Sequence, residues 1–427
     1  VWHARAVKTV EFFFDYTCPY AYLASTQIEA LCARNGAALV WRPMLLGGLF
    51  RSIGTATNLA ATLPPAKARM LLADQKRWAD LWGVELGVPR PGGYARSVEA
   101  LRATLAVTDE QRSRVIHALY YAHWVTHRDI GDRAVLRAVL DEAGVDGASV
   151  LAKIDDELIK EQLRANTDEA ASRGAFGAPA IFYEGQLYFG QDRLSMLEEA
   201  LGGTPIEPGA SRFAGRERTA NTVEFFYDPS SPFAYLGSHG ARRLCEKKGA
   251  KLIWRPILLG GLFKQLGGPT VPFETFSENK QRWVSEDLKR WARRWAVPYQ
   301  WNSHFPVRTL RAQRIATALC PSDDSGDFSA VASFSIECFR SVWERDEDPD
   351  SDECLTRCLR ESGLDPALVS RADEPTIKQA LIARTLSAME LGAFGVPTFR
   401  VGSSLFWGQD RLSLVERALE GWVAPEP

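Results

Sequence analysis

The string VEFFFDYTCPYAYL at Val10–Leu23 returns almost unchanged as VEFFYDPSSPFAYL at Val223–Leu236, and this duplication restricts the fold more than any other feature of the chain. Ser231 stands 213 residues after Cys18, and the same spacing relates Trp41 to Trp254, Lys67 to Lys280 and Trp78 to Trp291. Further along the spacing becomes 218, as between Pro179 and Pro397 and between Asp192 and Asp410. Such a period is far too long for a solenoid and matches a whole domain, for which about 200 residues is an ordinary size. Between the copies, GGTPIEPGASRFAGRERTA replaces periodic apolar residues with Gly, Pro and charge, the composition of a linker. The expected domains are therefore 1–203 and 221–427, joined by 204–220.

Both halves run through the same elements. An apolar β-type run ends at a lone Asp, Asp15 or Asp228, and a Pro then opens an amphipathic segment, which is a strand leading into a helix. AALVWRP or AKLIWRP follows as a second strand stopped by Pro43 or Pro256, and then LLGGLF in both copies. Helical spacing dominates the middle of each half, giving an expected helical insert over about 60–174 and 270–392. The closing units, GAFGAPAIFYEGQLYFGQDRLSMLEEAL and GAFGVPTFRVGSSLFWGQDRLSLVERAL, read as a strand, a Gly-containing hairpin, a second strand and a helix. The predicted class is α/β, with βαβ, a helical insert and ββα in each half.

Composition excludes several functions. With 46% hydrophobic and 24% charged residues, a net charge of −2 and no basic run, neither nucleic acid nor an anionic membrane surface is an expected partner. No apolar run reaches the roughly 18 residues of a spanning helix. Seven cysteines, odd in number and irregularly spaced, do not form a disulfide framework, so a reducing compartment and a cytoplasmic location are expected. The sequence opens at Val1, which leaves a removed leader open.

Chemistry concentrates where the strand meets the helix. Cys18 and Ser231 directly precede the Pro and fall at the N-cap, beside free backbone N–H groups and the positive dipole end, a setting that favours a thiolate. A plain capping Ser and a small buried Cys account for the same residues. Dithiol exchange needs C-x-x-C, and here the fourth positions are Ala21 and Ala234. Cys354 with Cys358 and His123 with His127 have i, i+4 metal-ligand spacing but no evident further ligands, so no metal is expected. His304 is an acid–base candidate or a structural His.

Taken together, D-x-x-(S/C)-P-(Y/F)-A-Y-L, W-R-P-x-L-L-G-G-L-F, F-G-(A/V)-P and G-Q-D-R-L, in this order in both halves, closely resemble the 2-hydroxychromene-2-carboxylate isomerase family. That family is related to kappa-class glutathione transferases and to the DsbA-like thioredoxin-fold group. The resemblance implies two thioredoxin-like domains, each with an inserted all-helical domain, and reduced glutathione as the bound thiol. Family members pair as homodimers, so the fused halves are expected to form an internal pseudo-dimer.

Carried over residue by residue, the resemblance implies that Ser231 hydrogen-bonds the glutathione sulfur. Pro179 and Pro397 match the family's cis-proline, with the backbone of Ala178 or Val396 pairing with the cysteinyl part. Gln191 and Asp192, and Gln409 and Asp410, match the segment holding the γ-glutamyl group. Lys67 and Lys280 match a lysine that meets a glutathione carboxylate, and Asn58 matches a second glutathione contact, for which the other copy has Val271. Asn302 and Phe305, within NSHFPVRTL, match a stretch near the substrate cavity, whereas copy one has RPGGYARSV there. Ser231 is favoured as the working residue. Cys18 assists glutathione, forms a mixed disulfide with it, or marks an inactive half.

The implied activity is glutathione-dependent isomerisation of a 2-hydroxychromene-2-carboxylate or similar aromatic-degradation intermediate. The alternatives are a kappa-type transferase or peroxidase and a non-catalytic glutathione binder. Trp82, Trp291, Trp295, Trp301 and Phe305 suit a flat aromatic substrate, or are core.

Overall fold

The computed structural model describes residues 7–57, 63–87, 96–206, 209 and 220–426. It contains two four-stranded mixed sheets, one from each half. In the first half β1 (Lys8–Phe14) pairs in parallel with β2 (Ala37–Pro43) and antiparallel with β3 (Ala180–Tyr183), which pairs with β4 (Gln186–Phe189), giving the order β2-β1-β3-β4. The second half repeats this with β5 (Thr222–Tyr227), β6 (Lys251–Pro256), β7 (Thr398–Val401) and β8 (Ser404–Trp407), in the order β6-β5-β7-β8.

Why β1 and β5 run through the middle follows from their residues. Val10, Phe12, Phe13 and Phe14 are wholly buried, so both faces of β1 are covered, as a strand between helical layers requires. Phe12 pairs with Trp41 across β2 and its ring meets that indole edge-on at 5.2 Å. Phe225 and Trp254 repeat the contact at 5.2 Å. Edge-to-face geometry is the favoured one for such rings.

The helical inserts sit between the second and third strands and dock on the loop that follows the first. Trp124 Nε1 donates to Tyr16 O at 2.8 Å, and Trp343 Nε1 donates to Pro229 O at 2.8 Å. Each indole therefore satisfies a carbonyl of the turn that leads into Cys18 or Ser231, tying the insert to the site.

The chain divides into two compact units. Val1–Thr62, Gln75–Pro208 and Phe276–Trp283 form the first, and Leu63–Asp74, Gly209–Thr275 and Val284–Pro427 form the second. The helices Pro65–Trp82 and Glu278–Arg294 are each split between units, the first after Asp74 and the second after Trp283. Most of the stretch read as a linker lies outside the described residues.

Candidate active site

In the second unit the site starts at Ser231, extended at φ −100°, ψ 119°, immediately before the helix Pro232–Lys248. Its Oγ accepts from Ala234 N at 3.2 Å, an N-cap bond, and donates to Val396 O at 3.4 Å. The side chain is 5% exposed. The helix closes tightly on the facing proline: a Cβ at Gly237 would lie 3.0 Å from Pro397 Cγ.

The turn ahead of Ser231 is held by Asp228. One carboxylate oxygen accepts from Ser230 N at 3.0 Å and Thr309 Oγ1 at 2.6 Å, and the other from Leu259 N at 2.8 Å. Burial raises its carboxyl pKa, and these donors pull it back. Gln313 Nε2 donates to Tyr227 O at 2.7 Å and Ile257 O at 2.6 Å. Thr309 and Gln313 were not singled out in the sequence. A Thr ahead of a helix signals a cap, but nothing local reports that it reaches 81 residues back to Asp228.

Across from Ser231, the Val396–Pro397 peptide is cis, and Pro397 O accepts from Gly408 N at 2.9 Å, where β8 ends. Gly408 has φ 106°, and a Cβ there would lie 2.4 Å from Asp410 Oδ1, so only glycine fits. The turn carrying Gln409 and Asp410 packs against the helix that begins after Ser231. Asp410 Oδ1 lies 3.2 Å from Arg411 Nη1, and the Arg411 fork engages both oxygens of Asp74 at 2.7 and 3.1 Å. Gln409 is 2% exposed, and its Nε2 has no hydrogen-bond partner among the described residues.

Lys67 groups with this second unit. Its ammonium stands 5.5 Å from the centre of the Trp407 ring, burial lowers its pKa, and no carboxylate pairs with it among the described residues. A buried hydroxyl donor, an unused amide donor and an unpaired ammonium thus belong to one unit. An unsatisfied buried donor such as the Gln409 amide calls for an explanation, and a bound ligand supplies one.

The first unit repeats the frame with different chemistry. Cys18 occupies the N-cap, its Sγ donates to Ala178 O at 3.1 Å, and Ala178–Pro179 is cis. The expected thiolate is not supported here. Burial pushes the Cys18 thiol up to about 12, Asp15 adds to the rise, and the Ala21 and Tyr20 N–H groups only partly offset them. Gln191 Nε2 lacks a partner among the described residues, and Asp192 lies 3.2 Å from Arg193. Neither Asp192 nor Asp410 caps the following helix, whose N-cap is Arg193 or Arg411.

Trp283 packs in the first unit against Phe176, tilted at 5.3 Å, and edge-on against Phe189 at 5.5 Å, with the Arg193 guanidinium 5.4 Å from its ring. Lys280 also groups with this unit and stands 3.7 Å from the Phe276 ring centre. Neither Lys67 nor Lys280 groups with the sheet of its own repeat, a tertiary outcome that repeat order does not encode. Asn58 lies outside the described residues, as does 90–95 of RPGGYARSV.

Asn302 is fully buried, and both amide protons go to backbone, Val342 O at 2.9 Å and Glu347 O at 3.0 Å, while its oxygen accepts from His304 N. Asn302 therefore shapes the loop and has no donor left for a ligand. Phe305 is half-buried against Trp301 at 4.7 Å and Phe273 at 5.9 Å, with the Tyr299 hydroxyl buried nearby in sequence and unpartnered. Trp291 is buried and paired with Trp295 at 4.8 Å, as Trp82 is with Trp78 at 4.9 Å, which makes these indoles packing residues. His304 is exposed. Cys354 and Cys358 are buried with their sulfurs 4.0 Å apart, and no group of three or more metal-type ligands occurs among the described residues.

A thioredoxin-type sheet, a helix capped by Ser or Cys, and a facing cis-proline loop define a thiol-handling domain of the DsbA class. The family model described as DSBA-like thioredoxin domain matches twice, over residues 9–202 and 222–420, and the chain belongs to this family as a tandem of two such domains. It is 29% identical over 194 residues to 2-hydroxychromene-2-carboxylate isomerase of Sphingobium xenophagum, covering 45% of this chain and 98% of that protein. It is 30% identical over 214 residues to glutathione S-transferase kappa 1 of Rattus norvegicus, covering 46% of this chain and 92% of the relative. A solved structure of 2-hydroxychromene-2-carboxylate isomerase matches with a TM-score of 0.41 at 24% identity, over 45% of this chain and 94% of its own.

Proposed function

We propose that this protein is a glutathione-dependent isomerase of a 2-hydroxychromene-2-carboxylate-like aromatic compound, working at Ser231. The observation that carries this reading is a set of weakly engaged or unused polar groups in the second unit: the Ser231 hydroxyl on a long 3.4 Å bond, the Gln409 amide and the Lys67 ammonium. These residues fit glutathione, an anionic thiol peptide. Lys67 would face a carboxylate, Gln409 and Asp410 the γ-glutamyl end, and the Val396 backbone the peptide itself. Bound there, glutathione supplies a sulfur nucleophile that adds reversibly to an electron-poor conjugated carbon and so frees a double bond to rotate.

The chain's own contribution is to set the protonation state at that sulfur. Ser231 Oγ turns its proton from Val396 O toward an anionic acceptor, and the N-terminus of the helix Pro232–Lys248 adds its partial positive charge. Asp228, Thr309 and Trp343 keep the turn in the geometry that aims Ser231. The first unit, with a buried neutral Cys18, is assigned a supporting role. Seven cysteines without a disulfide suit work in the cytoplasm.

The test is isomerisation of 2-hydroxychromene-2-carboxylate with substoichiometric glutathione, with turnover lowered about 10- to 100-fold in Ser231→Ala and kept in Cys18→Ala. No turnover by the wild type, or turnover at the wild-type rate in Ser231→Ala, refutes it. The similarity to a glutathione S-transferase kappa 1 supports a second reading, a kappa-type transferase, which net consumption of glutathione distinguishes.

A further inference from the structure

The second unit contains a cavity of about 510 Å³ lined by His239, Arg242, Arg243, Glu246, Leu252 and Trp254, together with Cys245 and Ala250. It lies between the helix Pro232–Lys248 and β6, the edge strand of its sheet. His239, Arg242, Arg243 and Glu246 recur at i, i+3, i+4 and i+7 and so share one helix face, two or more turns beyond Ser231. None of these residues takes part in the site described above.

Its lining has the make-up of an open anion site, with Arg242, Arg243 and Glu246 exposed at the rim and Leu252 half-buried beneath them. Arg242 and Arg243 contribute two guanidiniums against the single carboxylate of Glu246. Arg242 makes no ion pair among the described residues, and Arg243 uses one nitrogen on Trp295 O at 2.6 Å. Leu252 supplies the apolar wall, backed by Trp254, which is itself 2% exposed. His239 is held neutral, with its pKa lowered to about 4 first by burial and then by Arg242, with Arg243 and Arg340 assisting and Glu344 opposing.

Comparison of the two copies explains why Arg242 is left over. The matching residue in the first unit is Glu29, 213 positions earlier, which bonds both Ser113 and His117. His117 in turn meets Trp41, the counterpart of Trp254, at 6.1 Å. The Trp124 and Trp343 bonds to equivalent carbonyls fix the register of the inserts, so Ala332 and Ile336 stand where Ser113 and His117 stand in the first unit. Neither has a polar group with which to hold a side chain at position 242. The polar lock of the first unit is thus absent from the second, with its carboxylate replaced by a cation.

We propose that this open cavity binds a small planar carboxylate, its anionic group on the Arg242 and Arg243 guanidiniums and its ring against Leu252. A guanidinium fork matches a carboxylate with two parallel hydrogen bonds, and the volume falls in the range of small-molecule pockets. The inference does not depend on glutathione.

The test is calorimetric titration of the full chain with 2-naphthoate and with the neutral 2-naphthylmethanol. The expected result is that naphthoate binds at least about tenfold more tightly than the alcohol, and that Arg242→Gln and the cavity-filling Leu252→Trp each weaken it about tenfold or more. Glutathione binding and the melting temperature of Arg242→Gln stay at wild-type values. Equal binding of acid and alcohol, or naphthoate affinity unchanged in Arg242→Gln and in Leu252→Trp, overturns the proposal, since the ligand then binds elsewhere.

Discussion

Replacing Ser231 with Ala separates two roles of one oxygen. The hydroxyl oxygen lies 3.4 Å from Val396 O, beyond the usual O–H···O range, so withdrawing its proton toward another acceptor costs little. A hydrogen bond to a charged acceptor contributes about 1.5–3 kcal/mol. At about 1.36 kcal/mol per pKa unit, the thiol of bound glutathione is expected to rise by about 1–2 units in Ser231→Ala. Its thiolate fraction at neutral pH, and with it the rate, then falls about 10- to 100-fold. The same substitution removes the acceptor for Ala234 N, an N-cap loss of about 1 kcal/mol. For a unit of this size that is a drop in Tm of about 2–4 °C. Titration of thiolate ultraviolet absorbance with glutathione bound, beside a melting curve, reads both effects. Ser231→Thr, which keeps a hydroxyl, restores the thiolate. An unchanged thiol pKa in Ser231→Ala would refute the reasoning even if activity fell, because the hydroxyl would then act through folding alone.

Three further outcomes are expected. Asp74→Ala removes the carboxylate that the largely buried Arg411 fork engages, so destabilisation of about 3 kcal/mol, near the low end for a broken buried pair, should lower the Tm by about 6–12 °C in calorimetry. Cys18, 9% exposed with its thiol pushed up to about 12, should react with iodoacetamide at pH 7.5 at least about 100-fold more slowly in the folded protein than in denaturant, as peptide mapping would measure. Acidification from pH 6.5 to 4.5 should destabilise wild type relative to His239→Gln, because the unfolded chain takes up a proton that the native His239, titrating near 4, refuses. The slope stays below the roughly 1.4 kcal/mol per pH unit of a full proton, since the ring is partly exposed. Asp15 and Asp228 act in the opposite sense nearer their own range: burial raises both, so the native state protonates first and gains stability as pH falls toward 3.8.

The duplicated motifs made much of this architecture readable from residues alone. Apolar runs such as VEFFF and VEFFY lead to central strands, and a Pro after Cys18 or Ser231 marks a helix start at that residue, because both signals are local. The facing Val396–Pro397 segment entered through resemblance, and its 3.4 Å approach to Ser231 is a long-range fact. Local reasoning placed Cys18 at the helix start but left open whether it is a thiolate or a small buried thiol, since sequence locates a dipole and not the water that burial removes. Thr309 and Gln313 escaped notice for a related reason: their partners lie 81 and 86 residues away. The unit membership of Lys67 likewise depends on how the helix Pro65–Trp82 packs, which repeat alignment does not report.

Glutathione-binding stoichiometry of the full chain tests the central claim most directly, measured by calorimetry for wild type, Cys18→Ala, Gln409→Leu and Lys67→Met. If the unused groups of the second unit hold the tripeptide, Gln409→Leu and Lys67→Met each lose one equivalent or weaken it at least about tenfold, and Cys18→Ala retains it. Wild-type stoichiometry and affinity in both the Gln409 and Lys67 variants would contradict the account.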